Sequence, residues 1–384
     1  MKDTFRTRVA ERIGAIQAAG LVRAPQAPSG LDLSSNDYLC LAQHPFLKER
    51  MSEAVRREGC GSTGSRLLTG ERESFARVER LFAEFKGAER ALFFSSGYLA
   101  NLAVLTTFPE AGDVIFSDAR NHASLIDGTR LSGARRVIFP HNDVAALARL
   151  IEAHRDCHLA FVVTESLFSM DGDFAPLSDY AALCRATNAV LIVDEAHAVG
   201  VYGAHGSGLV EAAGAQADVA ISINPAGKAL GVCGAFVAGG AFAINYLVQR
   251  ARPFIFSTAP PPAVAAALEA SLTLIADEPW RRQTLARLSR HARAALSGAG
   301  IQPLPGTSQI VPVFIGDNGR AIAIAGALQS QGFDVRAIRP PSVPDGSARL
   351  RVSVNAGLDA PSLDQFAAAL ASALETTSCS AVSS

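Results

Sequence analysis

Between residues 90 and 238, seven short apolar runs alternate with stretches of helical periodicity. That alternation limits the fold more than any other feature of the chain. The runs cover 90–94, 113–116, 136–139, 159–164, 189–193, 218–223 and 234–238. Several are apolar at consecutive positions rather than at every second one. A strand with two apolar faces needs cover on both, which parallel strands linked by helices provide. The expectation is an α/β fold built on a mostly parallel seven-stranded sheet, with chemically active groups at the carboxyl ends of its strands.

The flanks read differently. Phe5, Val9, Ile13 and Ile16 recur at helical spacing, so an amphipathic helix opens the chain, broken by the Pro- and Gly-containing stretch 25–30. Residues 31–33 alternate like a short strand. Phe75, Val78, Leu81, Phe82 and Phe85 mark one apolar helix face, stopped at Gly87. Past Pro279 a long helix over 280–297 leads to extended stretches at 309–314, 334–338 and 348–354. A closing helix then carries Leu363, Phe366, Leu370 and Leu374 on one face. This pattern predicts a smaller α+β domain with an antiparallel sheet. The organisation expected is an N-terminal segment over 1–45, a large domain over 46–280 and a small C-terminal domain over 281–384.

A chain of 384 residues that is 49% hydrophobic buries a large core, and a net charge of −1 provides no basic field for nucleic acid. Six cysteines (Cys40, Cys60, Cys157, Cys184, Cys233 and Cys379) include no CxxC pair, so neither a metal nor a redox dithiol is indicated. The first residues lack the apolar core of a signal peptide, and no uncharged apolar run reaches the ~20 residues of a membrane span. A cytoplasmic protein is expected.

The chemistry concentrates at strand ends. Asp194 follows four apolar residues, and His197 lies just beyond it. Lys228 comes 34 residues after Asp194, among Gly227, Ala229 and Gly231, where small neighbours let a planar ring approach. A lysine suits a Schiff base. A buried acid suits a protonated ring nitrogen, and the pair points to pyridoxal phosphate (PLP). The Ser96-Gly97-Tyr98 turn, after the run 90–94, offers helix-start amides for a phosphate. His122, Glu165 and Ser169 follow two further runs. The bland alternatives are a helix cap or structural ion pair for Asp194, a satisfied core residue for His197 and a solvated lysine for Lys228. Five polar strand ends suited to one ligand outweigh them.

Two motifs mislead. Residues 59–64 match GxGxxG but follow a probable helix rather than a strand. Residues 194–197 spell a DEAH box, yet the chain has no GxxxxGK[ST] loop.

The stretches 34–39, 96–98, 121–125, 164–173, 194–200 and 227–231 together resemble the α-oxoamine synthases, PLP enzymes of the aspartate aminotransferase fold, fold type I. The likeness runs from about residue 31 to 354, and 316–321 and 337–344 narrow it to the branch acting on L-alanine and a pimeloyl thioester. The resemblance implies that Lys228 holds PLP, Asp194 backs the ring nitrogen, His122 stacks on the ring and His197 contacts the phenolic oxygen. It implies that Gly97, Tyr98, Glu165 and Ser169 line the cofactor site. It places Arg23, Asn36, His122, Ser342 and Arg351 near substrate. It further implies a homodimer with the active site at its interface, where Ser257 and Thr258 serve the neighbouring subunit's phosphate. The acyl donor would be pimeloyl-CoA or pimeloyl-acyl carrier protein; no nucleic acid or membrane is expected as a partner.

Two positions depart from the family: Ser342 replaces a usual threonine but keeps its hydroxyl, and three residues before the lysine, where a phosphate-binding threonine is usual, stands Pro225. Proline has neither hydroxyl nor backbone N–H. Ser222 or Asn224 would have to substitute. Two other readings stay open here: an α-oxoamine synthase using glycine or serine, and a PLP-fold protein kept only for binding.

Overall fold

The computed structural model describes residues 2–379, with the side chains of Ser378 and Cys379 outside the description. One short strand, β1 (Leu31–Asp32), precedes the main set: β2 (Arg90–Phe94), β3 (Val114–Asp118), β4 (Arg135–Phe139), β5 (Ala160–Glu165), β6 (Val190–Asp194), β7 (Val219–Pro225) and β8 (Ala235–Gly239). Four more follow: β9 (Ile310–Gly316), β10 (Phe333–Asp334), β11 (Ala337–Ile338) and β12 (Ala348–Ser353). The chain divides into two compact units. The larger holds Asn36–Ser169 and Asp173–Thr284; the smaller holds the segment up to Ser35, Met170–Gly172 and the residues from Leu285 onward.

In the larger unit the seven strands are ordered β2-β8-β7-β6-β5-β3-β4. Neighbours are parallel except at β8, which runs against both β2 and β7. The consecutive apolar residues of β6 explain the layering. Ile192 packs in one cluster with Ala100, Val104 and Ile244, whereas Leu191 and Val193 pack in another with Leu147, Leu177 and Tyr180. All three strand residues are fully buried, each contributing about 1.5–3 kcal/mol by area. Helices on both faces are therefore a consequence of the run itself.

The smaller unit contains the antiparallel sheet β11-β12-β9 and the parallel pair β1-β10. The single stretch expected at 334–338 is two strands in separate sheets. Arg336 lies between them, and its Nε donates to Asp334 Oδ1 at 2.7 Å. The opening helix, Lys2–Ala18, forms where its spacing predicts, but no residue of it is buried and Phe5 is 70% exposed. In the helix Glu73–Lys86, Phe75, Val78 and Phe82 are buried while Leu81 lies at the solvent edge, so its apolar face is narrower than the sequence suggests. No helix among the described residues is long and apolar enough to cross a membrane.

Candidate active site

Because β2, β3, β5, β6 and β7 run the same way, their carboxyl ends share one edge of the sheet. Along that edge the turn at Ser96 follows β2 and His122 follows β3. Glu165 ends β5, Asp194 ends β6 and Lys228 follows β7. This is the carboxyl-edge placement at which open α/β sheets bind ligands.

Asp194 is buried and held at both oxygens: Oδ1 accepts the Ala196 N–H at 2.9 Å and Oδ2 accepts Asn101 Nδ2 at 2.8 Å. His122 caps the helix Ala123–Leu131. Its Nδ1 accepts the Ser124 N–H at 3.2 Å, and its own backbone N–H donates to Glu165 Oε1 at 2.7 Å. Burial, with the nearby Lys228 charge, lowers the His122 pKa, and Asp194 opposes the shift. Burial and the Asp194 charge raise Glu165 well above the carboxylate range, and Lys228 opposes them. Lys228 and Asp194 thus act electrostatically on the same two residues, as an amine and a carboxylate flanking one ligand would. His197 is buried, with Nδ1 2.7 Å from the Tyr38 hydroxyl, which also donates to Asn36 Oδ1 at 3.0 Å.

At the other end, Ser96 Oγ accepts the Leu99 N–H and starts the helix Gly97–Thr107, whose first amides have no partner within the helix. A Cβ at position 97 would lie 2.6 Å from Pro225 Cγ, so only glycine lets the turn approach β7 this closely. Tyr98 is 42% exposed and its hydroxyl donates to Asp127. Asn224 Nδ2 donates to Ser222 Oγ at 3.0 Å, and Asn224 Oδ1 is buried with no protein partner. Ser169 is half-buried just beyond β5. Ser257 is half-buried and Thr258 exposed, in a turn tied by the Ala259 N–H to the Gly64 carbonyl at 2.9 Å.

The remaining expected residues lie in the smaller unit. Exposed Arg23 donates to the Pro340 carbonyl at 2.5 Å, and the Ser342 N–H donates to the Arg339 carbonyl at 3.1 Å, so this unit brings Arg23 and the 339–342 turn together. Arg351 is buried in β12 and donates to Ser353 Oγ at 2.7 Å. Sequence reasoning missed Asn101, Ser124 and Tyr38. Asn101 sits one turn inside the helix opened by Gly97, and that offset from a ligand-binding turn is the one signal that points to it.

The fold and this edge define a PLP-dependent transferase of fold type I. The donor set fits the cofactor: an acid buried at one strand end, an amine beyond the neighbouring strand, a histidine that feels both charges and a helix start beside a position where any Cβ would clash. Residues 28–370 match the family model Aminotransferase class I and II. The 8-amino-7-oxononanoate synthase of Geobacter sulfurreducens is 46% identical over 342 residues, covering 88% of this chain and 87% of its own. That of Anaeromyxobacter dehalogenans is 48% identical over 345 residues, covering 90% and 86%. Among solved structures, Sphingomonas wittichii serine palmitoyltransferase superposes with a TM-score of 0.90 at 31% identity over 98% of each chain. The 8-amino-7-oxononanoate synthase from Francisella tularensis does so with 0.79 at 28% identity, over 91% of this chain and 98% of that one. The chain belongs to the class I and II aminotransferase family and, within it, to the α-oxoamine synthases. Its cofactor is PLP, and it is an acyltransferase of that class.

Proposed function

We propose that the chain condenses L-alanine with a pimeloyl thioester, on CoA or acyl carrier protein, and releases CO2 to give 8-amino-7-oxononanoate. The observation that carries this reading is that Asp194 ends β6 and Lys228 follows the neighbouring parallel strand β7, on one carboxyl edge of the sheet. The relatives at 43–48% identity support the choice of substrates. The likeness to serine palmitoyltransferase favours a second reading, serine with a longer acyl thioester.

When bound, PLP supplies an electron sink for the amino-acid α-carbon. Lys228 Nζ would hold the cofactor covalently and then move the α-proton of L-alanine. The Asp194 carboxylate would hold a proton on the ring nitrogen, a charge-assisted bond of about 1.5–3 kcal/mol. His122 would cover one face, and His197, braced by Tyr38 near Asn36, the phenolic oxygen. Gly97 and Tyr98 at the helix start would meet the phosphate, with Glu165 and Ser169 lining the pocket. Arg23, Ser342 and Arg351 would meet substrate. The working form would be a homodimer in which Ser257 and Thr258 of one protomer serve its partner.

The test is a visible spectrum of the purified protein. A Schiff-base band that responds to L-alanine and then to pimeloyl-CoA, and is missing in Lys228→Ala, is expected. A response to serine but not alanine would move the assignment to the second reading, and a colourless wild type would reject both.

A further inference from the structure

Asn101 and Ser124 are each 1% exposed and come from two different helices, yet they join Asp194 to His122 without a gap. Asn101 Nδ2 lies 2.8 Å from Asp194 Oδ2 and 2.8 Å from Ser124 Oγ, and Ser124 Oγ lies 2.7 Å from His122 Nδ1.

The direction of every proton in this chain follows from the charge at its start. A carboxylate only accepts, so the amide must turn its NH2 toward Asp194. The flipped amide would place oxygen against oxygen. The second amide hydrogen then goes to Ser124 Oγ. The hydroxyl's own proton then remains for His122 Nδ1. The Ser124 N–H also points to Nδ1, at 3.2 Å. Two donors on one ring nitrogen require a lone pair on it. Asn101 Oδ1 is buried with no protein partner.

We propose that Asn101 and Ser124 are positioning residues that transmit the charge of Asp194 to His122 and fix its ring as the neutral Nε2–H tautomer. This deepens the function proposed above and rests on it. His122 then presents a donor to the site and cannot serve as a base through Nδ1. Proton abstraction is left to Lys228. Burial, which lowers the pKa of His122, acts in the same direction.

Nitrogen NMR of the 15N-histidine-labelled protein tests this, with the His122 signals identified by their loss in His122→Gln. In wild type, with and without PLP, Nδ1 should be unprotonated and Nε2 protonated between about pH 6 and 8. Ser124→Ala and Asn101→Ala should both admit the Nδ1–H form, and Ser124→Thr should restore the wild-type signals. The turnover number with L-alanine should fall about tenfold in Ser124→Ala, the scale of one hydrogen bond, and recover in Ser124→Thr. A wild-type Nδ1–H ring, an imidazolium, or a tautomer indifferent to both alanine variants would overturn the proposal. Because the tautomer is read without turnover, an inactive protein with the Nε2–H ring would count against the proposed reaction and not against the relay.

Discussion

Glu165 and Asp194 are register partners at the ends of adjacent parallel strands, both buried at the edge where the site forms. Two carboxyls this close cannot both ionise cheaply. Asp194 accepts two hydrogen bonds, from Asn101 and the Ala196 amide. Glu165 is the one pushed well above the ordinary range, by burial first and Asp194 second. A raised acid contributes stability that is fully present below its unfolded pKa and is lost as pH rises through the folded value. Glu165→Gln cannot ionise and keeps an acceptor for the His122 N–H. Unfolding midpoints of wild type and Glu165→Gln should therefore converge toward acid and separate as pH rises above the ordinary carboxylate range, with wild type falling behind. Parallel curves would show that Glu165 stays ionised.

His141 has a linkage of the same sign from the opposite cause, stabilisation of its charged form. Its Nδ1 lies 2.9 Å from Asp118 Oδ1 and its Nε2 2.7 Å from Asp173 Oδ2, with the ring edge-on to Phe168. Burial alone would lower its pKa, but the two carboxylates win and push it up to about 9. The ion pairs tie the Asp173 turn to the end of β3. A raised histidine contributes stability fully present below the unfolded value and lost as pH rises through the folded one. The stability gap between wild type and His141→Asn should be widest below about pH 6.5 and close as pH passes about 9. Urea midpoints across that range check it, and a pH-independent gap would show that packing on Phe168 dominates.

Directly after Asp194, Glu195 pairs with Lys86 at full burial. Lys86 also donates to the Ser207 carbonyl at 2.6 Å, and Glu195 accepts the Val210 N–H at 2.9 Å. This accounts for the acid in the DEAH-like stretch: it anchors the loop after β6. Lys86→Met should destabilise by about 3–5 kcal/mol, because it leaves a buried charge alone. Adding Glu195→Gln, which keeps an acceptor for Val210, should recover part of the loss in urea unfolding.

The strands and their polar ends were legible because both follow from short-range pattern. An apolar run such as 190–193 must end at a polar residue, and Asp194 is that residue. Lys86 was not legible. A lysine closing a helix looks solvated, and only the partner 109 residues away makes it a core residue. Asn101 and Ser124 escaped for the same reason: a hydrogen bond between two helices has no period. The opening helix shows the converse, with a clear apolar spacing that leaves Phe5 exposed.

Pro225 is the departure from the family pattern that removes a donor from the site. It ends β7, and its ring lies against Gly97 at the helix start proposed to meet the phosphate. Proline brings no donor to that place. The nearby polar side chains, Ser222 and Asn224, are turned to each other, with Asn224 Nδ2 on Ser222 Oγ. One missing hydrogen bond to a charged group costs about 1.5–3 kcal/mol, or roughly a tenfold to hundredfold loss in affinity. Pro225→Thr, which returns a hydroxyl without adding a group at position 97, should therefore hold PLP about ten times more tightly or better. Titration of the cofactor-stripped protein, read by visible absorbance, measures this directly. Equal affinities would mean that the phosphate is already fully satisfied by helix amides, and that this turn tolerates proline at no cost.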